Sequence, residues 1–139
     1  MMQLLTIIAA MLTTALLSVG CASHSPSALK QATTTKDGRY RVTWQKTPPS
    51  AIEANQYFEL VVEVEDLKTA EDPQDFRFDA TMPAHRHGMN TVVNAVRAED
   101  NRWVLQDLNL HMPGEWVMTF DVFDANGVLH RASEVVILK

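Results

Sequence analysis

The chain of 139 residues has a single cysteine, Cys21, so no disulfide can form within it. It has five glycines, and none of them form the Gly-rich loop that cradles a phosphate. No Ser-His-Asp order, activated cysteine or His-Glu-x-x-His is present, and a His-x-His pair with no recognisable general base does not make a hydrolase. The chain reads as a non-enzyme. Positive charge is also scarce: 12 Lys and Arg against 17 Asp and Glu give a net charge of −5. That is the wrong sign for a nucleic-acid binder, or for a protein held on anionic lipid by charge alone.

One long apolar run is present. Residues 4–20 carry no charge and are rich in Leu, Ile and Ala, the apolar core that a secretory signal needs. The run ends Leu17-Ser18-Val19-Gly20-Cys21-Ala22, which looks like a bacterial lipobox with Cys21 as the lipid-attachment residue. Ser18 stands where a lipobox usually has Leu, and the n-region lacks its usual Lys or Arg. Ordinary cleavage after Ala22 and an uncleaved anchor of about 18–20 apolar residues are the alternatives. Residues 1–20 are thus expected to be a lipoprotein-type signal peptide. With Cys21 as the mature N-terminus, 119 of the 139 residues remain, enough for one domain behind a tether. Stable anchoring takes more than one acyl chain, as bacterial lipid modification would supply. The expected location is the cell envelope, on the periplasmic side of a bacterial membrane. Ala22 lacks the acidic character that often retains lipoproteins at the inner membrane, which slightly favours the outer one.

Residues 21–38 are Ser- and Thr-rich, with few large apolar side chains to offset ordering entropy, and are expected to be a flexible linker. Beyond them, from residue 39 to 139, short stretches alternate with the period of two that strands show. The seven expected strands span 39–46, 56–65, 76–81, 89–98, 102–110, 115–123 and 128–138. Tyr40, Val42 and Trp44 share one face of the first, which Pro48-Pro49 terminate. Phe58, Leu60, Val62 and Val64 share a face of the second, with Val61 as the exception, and Asp124-Ala125-Asn126-Gly127 reads as a hairpin turn. No helical stretch of comparable strength follows the signal. The fold class is all-β, an immunoglobulin-like antiparallel sandwich of about seven strands, without the Cys…Trp…Cys signature of true immunoglobulin domains.

Chemistry concentrates in two short stretches, Met82-Pro83-Ala84-His85-Arg86-His87-Gly88-Met89-Asn90 and His111-Met112-Pro113-Gly114-Glu115-Trp116. They hold three of the five histidines and three of the seven methionines. In an extended backbone His85, His87 and Met89 would point to one side, two imidazoles and a thioether facing one point. If Gly88 bends the chain, Met82 or Met112 becomes the sulfur donor instead. Thioether sulfur favours Cu(I), imidazole suits copper and zinc alike, and no second thiolate or carboxylate cluster favours structural zinc or calcium. Copper is therefore the expected metal. The plain alternative is that Met82 and Met112 plug the core before their prolines and the histidines sit on surface loops. Met118 and Trp116 read as core, and His130 and His24 carry no assigned role.

These two stretches resemble the YtkA-like domain, related to FixH-type proteins: small extracytoplasmic β-sandwich domains of bacteria, often lipid- or membrane-anchored. The likeness rests on Met-Pro-x-His-x-His-Gly-Met followed by a Met-Pro-Gly-x-Trp turn, and covers most of residues 39–139. It implies a copper-handling or oxidase-assembly context and highlights Met82, His85, His87, Met89, His111, Met112 and Trp116. The expected function is copper binding or delivery to an envelope acceptor. A protein-interaction module of the envelope, with the histidines as contact or pH-sensitive residues, is the rival.

Overall fold

The computed structural model describes residues 30–139. The signal segment, Cys21 and the first part of the expected linker lie outside the described residues. What is described is an antiparallel β-sandwich of nine strands: β1 Gln31–Thr34, β2 Tyr40–Thr47, β3 Tyr57–Asp66, β4 Asp75–Met82, β5 His87–Gly88, β6 Asn94–Arg97, β7 Arg102–Asn109, β8 Gly114–Phe123 and β9 Leu129–Leu138. One sheet has the order β1-β2-β3-β7-β6 and the other β5-β4-β8-β9.

Alternation builds both layers. Tyr40, Val42 and Trp44 of β2 and Phe58, Leu60, Val62 and Val64 of β3 are buried, and face Phe76, Phe78, Ala80 and Met82 of β4 and Trp116, Met118, Phe120 and Val122 of β8. Each fully buried large apolar side chain contributes roughly 1.5–3 kcal/mol relative to exposure. Phe120 sits at the centre, its ring 5.3 Å from Phe78 and 6.4 Å from both Trp44 and Phe76. Val61 breaks the alternation because it faces the outer side, where it pairs with Val104. On β7, Leu105 and Leu108 are both buried although three residues apart. The register shift against Phe58/Leu60, with Asp107 at φ +62°, supplies the extra residue that brings both inward.

Seven of the strands answer to the seven alternating stretches; β1 and β5 are additional, and two expectations are corrected. Residues 31–38 are not a free linker. Residues Gln31 to Thr34 pair with Trp44 to Arg41 of β2, Thr35 is buried, and its hydroxyl accepts the Tyr40 N–H at 3.0 Å. The polar composition concealed this, because a threonine can face a core when its hydroxyl is bonded. The stretch 89–98 is not one strand. Only Asn94–Arg97 pairs with β7, while Gly88 pairs in the opposite sheet with Thr81, so the chain crosses between layers over residues 89–93.

Candidate metal centre at one pole of the sandwich

The turn between β4 and β5, the loop from β7 to β8 and the end of β9 meet at one pole. Met82 begins a tight turn: the His85 N–H donates to the Met82 carbonyl at 3.0 Å, that of Arg86 to the Pro83 carbonyl at 3.3 Å, and Arg86 has φ +56°. His87 then pairs with Met82 and Gly88 with Thr81. The backbone around His85 is therefore a hairpin turn, and the extended arrangement that would have aligned His85, His87 and Met89 is not formed. The reason is local: Pro83 cannot donate to a ladder and fixes its own φ, which favours turning immediately after Met82.

His87 and His111 are brought together instead. Their rings stack with centroids 5.0 Å apart and planes inclined 29°, although His87 belongs to the β4–β5 hairpin and His111 to the loop that crosses from β7 to β8 in the other sheet. The His85 ring lies 5.8 Å from that of His87, on an exposed turn. Trp116, fully buried, closes the site from the core side, meeting His87 at 5.8 Å and His111 at 5.5 Å edge to face. Its indole N–H donates to the Met112 carbonyl at 2.9 Å, which ties the His111-Met112-Pro113 loop to β8.

Two nitrogens define the chemistry. His87 Nδ1 lies 3.1 Å from the Gly88 carbonyl. A carbonyl only accepts, so this contact needs the proton on Nδ1, which in the neutral ring leaves the lone pair on Nε2. His111 Nδ1 is buried without a hydrogen-bond partner among the described residues, a state that costs free energy unless something else engages it.

The sulfurs divide. Met82 is core, 3% exposed, and a Cβ added at Gly114, which has φ +125°, would collide with its methyl group. Glycine at 114 thus lets β8 start directly against Met82. Met89 and Met112 are half-buried against the core. Among the described residues no three His, Cys, Asp or Glu side chains form a metal-holding group.

The opposite pole holds a polar cluster that local sequence did not disclose. His130, 8% exposed, has Nδ1 2.6 Å from Asp37 Oδ2 and Nε2 3.5 Å from Asp124 Oδ2. Arg39 bridges Asp66 at 3.1 Å and Asp124 at 2.9 Å. Burial works against the Asp66 charge, but the N–H groups of Lys68 and Thr69, the Thr69 hydroxyl and Arg39 outweigh it and hold the carboxyl below its usual range. Asp37 is likewise held low, chiefly by the Thr35 hydroxyl and then by His130, against a desolvation penalty. No spacing in the chain signals this group, since Asp37 and His130 are 93 residues apart.

Compared with protein-family models, with curated proteins and with solved structures, the chain has no match in any of the three.

Proposed function

We propose that the protein is a lipid-anchored, YtkA-like copper-binding protein of the bacterial cell envelope, which buffers copper or passes it to an envelope acceptor. In this reading His87 and His111 supply two imidazole donors, and Met89, Met112 or, after a side-chain rotation, Met82 supplies sulfur. His85 stands at the exposed rim, where a cargo ion would first arrive. The observation that carries the reading is the approach of His87 and His111 beside Trp116, with a buried nitrogen on His111 that has no partner among the described residues. Imidazoles bound to one ion at about 2.0–2.1 Å would have ring centroids about 5–6 Å apart, and His87 and His111 already meet that spacing at 5.0 Å. A soft thioether beside them selects Cu(I) over harder ions. The role in this reading is binding without catalysis.

The test is a Cu(I) competition titration on the protein from Ala22 onward, with His87→Ala/His111→Ala and His85→Ala as comparisons. Loss of tight binding in the double variant, with a smaller effect of His85→Ala, is expected. Binding no tighter than nonspecific, or unchanged in the double variant, would sink the proposal.

A second reading, an interaction module of the envelope, draws on the exposed turn tip at Pro83, Ala84, His85 and Arg86 and on the lack of a third nitrogen or oxygen donor among the described residues. It predicts partner capture that ignores chelators.

A further inference from the structure

β1 and β9 are the facing edge strands of the two sheets, and only part of the seam between them is closed. The Lys36 N–H donates to the Arg131 carbonyl at 2.9 Å, and the Thr33 hydroxyl donates to the Ser133 carbonyl at 3.4 Å. Main-chain groups of alternate residues in an antiparallel strand point to the same edge. Those of Val135 and Ile137 therefore face the same way as those of Arg131 and Ser133, yet no strand lies beside them among the described residues. The open half of the seam is a groove of about 360 Å³, lined by Gln31, Trp44, Ile52, Glu134, Val136 and Leu138 among others. Trp44, 7% exposed, has a buried indole N–H with no hydrogen-bond partner among the described residues.

The groove lies where β1 would run if it were longer. Gln31 is opposite Trp44 and Thr33 opposite Val42, and residues directly opposite in a sheet share a face, so the exposed Gln31 and half-buried Thr33 lie on the same side of the sheet as Trp44 and Val42. Carrying that register backward sets position 29 opposite Lys46, at the next inward position. Position 29 is a leucine, with Ala28 before it. An apolar residue at that step, after a stretch of Ser, His and Pro, matches the Trp44, Ile52, Val136 and Leu138 part of a groove of mixed lining, whose far wall is a strand edge with no partner among the described residues.

We propose that the groove is the seat of the chain's own lead segment, residues 25–29, laid in as an N-terminal continuation of β1 with Leu29 as the side chain that fills it. The segment would take β2 on one side and offer main-chain partners to Val135 and Ile137 on the other, stitching the two sheets along their open edge. The inference goes beyond the copper reading and does not depend on it. Joined to lipid attachment at Cys21, it leaves residues 22–24, about 10 Å of extended chain, between the lipid and the domain. That short tether leaves from the pole of His87 and His111, since the groove ends at Leu138, opposite Gly114.

The experiment is hydrogen–deuterium exchange on the full-length chain in detergent, comparing the native protein with Leu29→Asp and Leu29→Met, without metal. Deuterium uptake over residues 134–138 is expected to be about tenfold faster in Leu29→Asp than in the native chain, with Leu29→Met close to native and β3 unchanged in all three. Equal uptake over 134–138 in the three proteins overturns the proposal. So does protection that disappears on dilution in all three, which would make the occupant a second copy.

Discussion

The indole N–H of Trp116 donates to the main-chain carbonyl of Met112 at 2.9 Å, and the same ring meets both His87 and His111 edge to face. One core residue therefore sets the position of a loop and of two imidazoles. Trp116→Phe keeps most of the ring and removes the donor, leaving a carbonyl without its partner. A loss of about 1–3 kcal/mol in urea unfolding is expected, with weaker Cu(I) binding under the proposed function. Native stability together with native binding would show that the bond positions nothing.

Gly114→Ala should also destabilise, by about 1–3 kcal/mol, because φ +125° is unfavourable for any residue with a Cβ. The collision with Met82 can be relieved by rotating that flexible side chain, but the backbone strain cannot. Measured against Met82→Ala alone, which carries its own cavity cost, adding Gly114→Ala should therefore cost about the same again. A Gly114→Ala increment that vanishes in the Met82→Ala background in thermal unfolding would assign the cost to packing instead.

Phe120→Ala empties the centre of the sandwich, where three aromatic rings surround it. The expected cost is about 3–5 kcal/mol in denaturant unfolding, without a change in the spectroscopic environment of His130 at the far pole.

Acid should unfold the protein through the Arg39 cluster. Asp37, Asp66 and Asp124 have folded-state pKa values lowered from the usual carboxylate value. In the window below about pH 4 the unfolded chain therefore binds more protons than the folded one. The stability these groups contribute is present above that value and is lost as pH falls through the folded-state pKa values. Asp66→Asn should lower stability at pH 7 and flatten the decline between pH 5 and 2, as followed by circular dichroism. An unchanged acid limb would remove Asp66 from this account.

Much of the fold was legible in the chain. The period-two alternation of Tyr40-Val42-Trp44, of Phe58 to Val64 and of Trp116 to Val122 locates strands and their inward faces, since a strand has only two sides and burial selects one. The Asn126-Gly127 turn and the stop at Pro48 were equally local. β1 was not legible, because Gln31 to Thr34 have no apolar stripe and owe their order to pairing with β2 and to the β9 edge. Nor was the split of the 89–98 stretch, which depends on two sheets each claiming one end of it.

By itself the sequence determined which donor types this protein can offer: three histidines and three methionines in two short stretches, and one cysteine at the end of an apolar run. Only the tertiary structure decided which of them meet. Pro83 turns the chain directly after Met82, so of the arrangements the sequence left open, proximity along the chain, His85 with His87 and Met89 on one extended side, gave way to proximity across it, His87 with His111. The physical reason is that side-chain type is a local property, whereas convergence on one point is set by strand register. That register is fixed by burial of the sandwich core, Trp116 above all, and not by the histidines themselves.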